Sequence, residues 1–222
     1  VMLQYLNPVQ ELDFSAKGLA HVDAIMIARL LEADTSVTCV NALGNELTEN
    51  GALALVRAAD ARRGQIKTLC GIAPETTTLD FPGSSRACEI ILLAYDLKVS
   101  GSLTSVDLRG SVISDTGAEH LAGALRVNVS LVSLPALIVL GLGGSQIGDH
   151  RATAIGQALA SNGALKLEIL QLDVNRIGDQ GATVIGHYLT SNGAMKLKWL
   201  ELNNNQIADA GATAIGQALA SN

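Results

Sequence analysis

The sequence predicts a right-handed α/β solenoid, with short parallel strands stacked on one face and helices on the other. Three observations predict it. The end of the chain repeats itself: Leu170/Leu200, Leu172/Leu202, Asn175/Asn205, Ile177/Ile207, Asp179/Asp209, Gly181/Gly211, Ile185/Ile215 and Leu189/Leu219 all match at an offset of 30 residues. A fixed period of roughly 20 to 50 residues is the signature of a stacked array. Inside each unit the apolar spacing switches from that of a strand to that of a helix. The composition, 48% apolar but only 3% aromatic, suits a narrow core of Leu, Ile and Ala.

The unit from 197 to 222 shows how each element is encoded. Leu200 and Leu202 alternate with Glu201, the period of a strand with one buried face. Asn205 stands where a side-chain amide can bond backbone left unpaired as the chain leaves the strand. Ala212, Ile215 and Leu219 then fall at i, i+3 and i+7, a helical stripe. Asp209 precedes that stripe and is expected to cap its helix, since a carboxylate accepts from the orphan amides of a first turn. In the preceding unit Asn192-Gly193 is expected to close the helix, because glycine tolerates the left-handed cap. No unit can bury its own leucines; only stacking on neighbours does that.

From 167 to 222 the chain follows LxxLxLxxNxIxDxGxxxIxxxL almost throughout. This pattern resembles the leucine-rich repeat family, in particular its ribonuclease-inhibitor-like class, whose units run to about 28 to 29 residues. The resemblance extends over nearly the whole chain. It implies a horseshoe with a parallel sheet on the concave face and helices on the convex face. On this reading 1–222 is a single domain of about seven repeats.

Taken in order, Leu12-Asp13-Phe14 opens the first strand, and Ala24, Ile27 and Leu31 make its helical stripe. Val37, Val40 and Ala42, with Asn45 and Leu47, form the second strand and turn; Ala52, Leu55 and Ala59 form the second helix. Ile66 and Leu69 begin a third unit, but Ile72-Ala73-Pro74 intervenes and Leu79-Asp80-Phe81 opens a new strand ten residues after Leu69. Ile90, Leu93 and Leu97 give the next helical stripe. Leu103, Val106, Leu108 and Ile113 return to the pattern, with Asp115, Gly117, Leu121 and Leu125 behind. Leu131 and Leu134 are interrupted by Pro135. Leu140 and Leu142 restart the unit, which Ile147, Asp149, Ile155 and Leu159 complete.

The strand centres are spaced 28 residues from Leu12 to Val40, 29 from Val40 to Leu69, 27 from Leu79 to Val106, and 28 from Val106 to Leu134. Leu140, Leu170 and Leu200 follow at steps of 30. Breaks fall between Leu69 and Leu79 and between Leu134 and Leu140, and a similar one where Leu3 and Leu6 precede Pro8. The interrupted LxxL pairs begin at 3, 66 and 131, which implies a higher-order unit of one plain repeat and one with a proline-bearing turn. Proline has no amide to donate, so Pro8, Pro74 and Pro135 should end strand pairing locally. Each break is either a loop bulging at the sheet edge or a rung that skips its helix. Loops at fixed positions often carry binding residues, although a surface insertion is also tolerated at little cost.

The residues between the buried strand leucines point into the concavity. At the central position these are Asp13, Asn41, Asp80, Asp107, Gly141, Gln171 and Glu201; Glu11, Arg109, Asp173, Trp199 and Asn203 flank them. Strands about 4.8 Å apart make such side chains a ladder. It is polar and mostly acidic, with Trp199 as its large apolar group. Tryptophan is over-represented among residues that dominate interface energy. The ladder therefore points to a non-catalytic protein–protein interaction module whose partner is a basic protein steered by charge. Aspartate is also common at this position in leucine-rich repeats, where its acidity can serve solubility alone.

Other functions find less support. A net charge of −6 argues against nucleic acid, and no apolar run reaches the ~18 residues of a membrane span. Cys39, Cys70 and Cys88 have no metal-like spacing and read as reduced thiols of an intracellular, cytoplasmic protein. His21, His120, His150 and His187 are scattered and form no metal motif. No GxSxG elbow is present, and Gly141-Leu142-Gly143-Gly144 lacks the Lys-Ser/Thr of a phosphate loop. No cofactor is implied. Asn128-Val129-Ser130 would be a glycosylation triplet only in a secreted chain. Ran GTPase-activating proteins share the repeat class, so an enzyme-regulatory role is an alternative, as is the sensing arm of a larger immune-type or ubiquitin-ligase protein; both rest on fold analogy alone. Solenoids normally need polar end caps. None is visible here, so the natural chain is expected to be longer, or its uncapped ends to self-associate.

Overall fold

The structure, a computed structural model, describes residues 10–83, 86–127, 137–162, 166–191 and 197–221. Among them short strands and helices alternate: β1 (Glu11–Asp13), α1 (His21–Ala33), β2 (Cys39–Asn41), α2 (Glu49–Ala61), β3 (Thr78–Asp80), α3 (Ala87–Val99), β4 (Ser105–Asp107), α4 (Asp115–Val127), β5 (Val139–Gly141), α5 (Asp149–Ser161), β6 (Ile169–Gln171), α6 (Asp179–Ser191), β7 (Trp199–Glu201) and α7 (Asp209–Ala220). The expectations at Leu3, Leu6, Pro8, Asn128 to Ser130, Leu131, Leu134, Pro135, Asn192-Gly193 and Asn222 fall outside the described residues.

Neighbouring strands pair in parallel, and equivalent residues of successive units stand opposite one another. Leu12 faces Val40, and Leu79, Val106, Leu140, Leu170 and Leu200 form one continuous row. Val106 pairs with Leu140 across the break, and the step of 27 residues before it and the steps of 30 after it are those read from the sequence. Consecutive helices pack side by side behind it. Val40, Leu140 and Leu170 from the strands meet Leu55, Leu125 and Leu189 from the helices, all 0% exposed. This is the α/β solenoid, with the core as a slab between sheet and helices.

Two polar devices recur with the sequence period. The first is the asparagine. The Asn175 side chain accepts from Ile147 N–H (2.9 Å) and donates to the carbonyls of Leu142 (2.9 Å) and Leu172 (3.1 Å), so it joins its own turn to the one before. Asn205 does the same to Ile177 (3.0 Å) and Leu172 (2.8 Å), and Asn45 to Lys17 and Leu19 (both 3.0 Å) and Phe14 (2.8 Å). Burial of these groups would be costly were they unpaired. Where serine replaces asparagine its hydroxyl still bonds the preceding turn, from Ser111 to Phe81 O (3.2 Å) and from Ser145 to Leu108 O (3.1 Å).

The second device corrects an expectation. Asp209 is the first residue of α7, and its helix start at Ala208 receives no side-chain bond from within its own unit. The cap comes from one unit earlier: Asp179 Oδ1 accepts from Ala208 N–H and Gly211 N–H, both at 2.8 Å. Asp149 Oδ1 likewise accepts from Gly178 (2.7 Å) and Gly181 (2.9 Å) at the start of α6. The motif's glycine follows from this approach, because a Cβ on Gly211 would stand 2.7 Å from Asp179 Oδ1.

A second departure is larger. The strands form two sheets, β1-β2 and β3 through β7, rather than one. Between them Thr68 and Cys70 bridge to Cys39 and Asn41 of β2, with Ala42 N–H on Leu69 O and Gly71 N–H on Val40 O, both 3.0 Å. This is a third rung. No helix follows it; the chain passes through Pro74 directly to β3. Of the two readings of this break, the rung that skips its helix is the one observed.

α3 compensates for the missing helix. The sequence predicts a one-sided stripe of Ile90, Leu93 and Leu97, but Cys88 through Leu97 are all buried. The helix packs on α2 and α4 while its side chains reach the helixless rung. Asp96, 1% exposed, accepts from the N–H of Leu69 (2.6 Å) and Cys70 (3.2 Å) and from the Thr68 hydroxyl. Tyr95 donates to Ile66 O (2.8 Å), Glu89 accepts from Gly44 N–H (2.9 Å), and Arg86 donates to Asn45 O. Burial pushes the Asp96 carboxyl up to about 6 against the pull of these hydrogen bonds.

Candidate partner-binding face

The strand centres bury their side chains against the helices, so the residues on either side of each centre face the other way, away from the core. The register brings Asp80, Asp107, Gly141, Gln171 and Glu201 into one row across β3 to β7. Asp13 and Asn41 lie opposite each other on the smaller sheet, beyond the helixless rung. The ladder expected from the sequence is therefore split in two.

Its charges are also less available than their number suggests. Asp107 is clamped by Arg109, which donates from Nε (2.9 Å) and Nη2 (2.5 Å) as well as from its backbone N–H (3.0 Å). These bonds hold the Asp107 carboxyl below the usual range and raise the Arg109 guanidinium further. Glu201 accepts from the Trp199 indole N–H (2.7 Å) and the Gln171 amide (3.1 Å). Asp13 is bonded by the Ser15 hydroxyl (2.6 Å) and N–H (2.9 Å), which keep its carboxyl low. Asp173 lies against Gly143, where a Cβ would collide with it, and its Oδ1 is buried without a hydrogen bond. Asn203 is exposed on the turn after β7.

Sequence reasoning singled out Trp199 as the large apolar group of this face. The structure adds two more. Val139, Ile169 and Trp199 stand opposite one another on β5, β6 and β7; the first two are half-buried and Trp199 is 59% exposed. The signal was present in the runs Ile138-Val139-Leu140 and Ile169-Leu170, where an apolar residue precedes the strand centre instead of a polar one.

The family model described as Leucine Rich repeat matches residues 100–122, 164–186 and 189–216. Over those stretches the chain carries leucine-rich repeats. No curated protein matches it. Among solved structures, "Leiomodin-1 Actin-Binding Site 2 (ABS2)" aligns with a TM-score of 0.53 at 18% identity, over 78% of this chain and 87% of that one. An internalin (inlF) from Listeria monocytogenes str. 4b F2365 gives a TM-score of 0.39 at 17% identity, over 87% of this chain and 48% of that one. This chain thus spans about half the length of the internalin. The first likeness shows a shared fold.

The histidines lie on the helical side of the repeats. His21 Nδ1 is 3.0 Å from Thr48 Oγ1, His120 Nδ1 is 3.0 Å from Thr116 O, and His150 is 3.8 Å from Asp115. Among the described residues no group of three or more His, Cys, Asp or Glu side chains converges as metal ligands would. Cys39, Cys70 and Cys88 are unpaired, and burial raises the thiols of Cys70 and Cys88. No helix among the described residues is long and apolar enough to cross a membrane.

Proposed function

We propose that this chain is a non-catalytic protein-interaction module that holds a basic partner against the open face of its sheet. The observation that carries this reading is the register across β3 to β7. It lines up one polar and one partly apolar row on a single surface, with Trp199 exposed at its edge. A rigid row of side chains on hydrogen-bonded strands presents a partner with contacts that cost little ordering. The structural neighbour named for an actin-binding site offers a precedent for a protein partner on such a fold. The contact residues are Asp80, Asp107, Arg109, Gln171, Asp173, Trp199, Glu201 and Asn203, with Asp13 and Asn41 extending the surface beyond the helixless rung. The return of each unit other than the helixless rung through a helix of 12 or 13 residues supports the ribonuclease-inhibitor-like class, and the unpaired cysteines support an intracellular setting. The test is capture of partners by the native chain and by Asp80→Lys, Asp107→Lys, Glu201→Lys, read by mass spectrometry. Partners held by the native chain should be lost from the variant; their retention overturns the reading.

A specific observation favours self-association as well. Val22, Met26 and Leu30 lie on successive turns of α1 and are 64%, 60% and 62% exposed, and Leu219 of α7 is 56% exposed. Such helical faces bury themselves against further helices when they can. Sedimentation equilibrium across concentration tests this; a monomer at every concentration overturns it.

A further inference from the structure

The apolar row on the open face points to the kind of partner. Val139, Ile169 and Trp199 follow one another strand by strand, with Ile138 half-buried beside them. Two residues further along each strand runs the polar row Gly141, Gln171 and Glu201, parallel to the first and about 7 Å from it. At Gly141 the polar row drops to the backbone, and Asp107 and Gln171 lean to within 3.1 and 3.3 Å of where a Cβ would stand. Carboxylates dominate the surroundings. Asp80, Asp107, Glu168, Asp173 and Glu201 face Arg109 and Lys198, and these two cations are taken up by Asp107 (2.5 Å) and Glu168 (2.8 Å).

The spacing decides between an extended and a helical partner. Rows on successive strands are about 4.8 Å apart, so three of them span about 10 Å. An extended segment places same-side residues about 7 Å apart, and falls out of step by about 2 Å at each strand. A helix with apolar residues at i, i+3 and i+7 places them at about 4.5 and 10.5 Å along its axis, within about 1 Å of the strand rows. The excess of carboxylates beside the row calls for basic residues flanking that stripe.

We propose that the open face of β5 to β7 seats an amphipathic basic helix of a protein partner. The helix lies across the strands, its apolar stripe on Val139, Ile169 and Trp199 and its lysines or arginines over Glu201 at one end and toward Asp80 at the other. This rests on the reading of the open face as the binding surface, and it adds the partner's secondary structure and polarity.

Trp199 is the sole tryptophan of the chain, so its emission reports directly on cover. The probe is a labelled 18-residue peptide, stapled as a helix, with leucines at i, i+3 and i+7 and lysines flanking them, titrated against the whole chain. Saturable binding with a blue shift of Trp199 is expected. Binding should weaken at least tenfold for a scrambled peptide, for glutamates in place of the lysines, and for Ile169→Lys. Trp199→Ala, at an exposed position, should weaken it at least fivefold when read by anisotropy, which guards against misfolding of the Ile169 variant. Equal binding of a proline-broken peptide overturns the helix. So does a blue shift that grows with protein concentration without peptide, which places a second copy on the row. If Trp199 ignores every helix while the Asp80, Asp107, Glu201 reversal still abolishes partner capture, the helix falls and the open face stands.

Discussion

The stretch from α5 to α7 and the stretch around the helixless rung solve one problem in two ways. Both must satisfy backbone groups that stacking removes from water. In the regular stretch each need is met by the same residue one unit away: Asp149 and Asp179 cap the next helix, and Asn175 and Asn205 tie each turn to the one before. At the helixless rung the Leu69 N–H has no such partner, and a buried carboxylate from α3 takes it along with the Cys70 N–H, which it shares with Thr68 Oγ1 (3.0 Å). Distributed bonds are individually replaceable. A concentrated set is not, and the two stretches should therefore fail very differently.

The largest effect is expected at Asp96. Its replacement by alanine leaves the buried Leu69 N–H and the Thr68 hydroxyl without their acceptor, at about 1 to 3 kcal/mol each where water cannot reach, while the Cys70 N–H keeps Thr68 Oγ1 at 3.0 Å. A loss of about 3 to 5 kcal/mol in urea unfolding is expected; a loss under about 1 kcal/mol would show that the rung does not depend on α3. The same residue predicts a pH signature. The folded carboxyl, at about 6, holds its proton more tightly than at its ordinary 3.8. The stability it contributes is therefore complete below the ordinary value and is lost as the pH rises through about 6. Measured against Asp96→Asn, the native chain should lose about 3 kcal/mol between pH 3.5 and pH 7. A flat difference would place the carboxyl in contact with water.

Capping distinguishes the regular stretch. Asp179→Ala should cost about 1 to 2 kcal/mol and fray the start of α7 in hydrogen exchange. Asp209→Ala, which removes a carboxylate from the first turn of that same helix, should cost no more than about 0.5 kcal/mol. Equal costs would restore self-capping. A small gain, rather than a loss, is expected at the turn after β6. Val174 holds a φ of +51°, a left-handed conformation that a β-branched residue disfavours, and the next unit places Asn204 at +55°. Val174→Asn should raise stability by about 0.5 to 1 kcal/mol in thermal unfolding. No gain would mean that the turn is set by Val174 packing, although the side chain is 53% exposed.

This contrast also accounts for what the sequence revealed. Leu140, Leu170 and Leu200 could be read as a row because the bonds beside them repeat with the same period. Asn205 could be recognised as a turn residue for the same reason. Asp209 was assigned to its own helix because a motif inside one unit cannot tell a cap given from a cap received. Asp96 carried only a faint signal, a charge inside Ile90 to Leu97, and nothing near it in sequence names Leu69 and Cys70 as partners. On the open face, Asp80, Asp107 and Glu201 were placed by periodicity, whereas the clamp of Arg109 on Asp107 depends on rotamers. Val139 and Ile169 passed as strand residues because burial, which a single sequence does not show, is what separates a core leucine from a surface isoleucine.

The inter-unit cap has a further consequence for how such a chain can lengthen. A unit that receives its cap from the unit before and hands one to the unit after is interchangeable. A duplicated block of 30 residues inserted between α5 and α7 would find both roles waiting, and would leave no orphaned group behind. Residues 152–162 and 212–222 are identical, as copying of this kind would leave them. No block cut around Asp96 has that freedom, since its partners lie 26 and 27 residues back in a rung without a helix of its own. Growth is open on one side of the molecule and barred at the other.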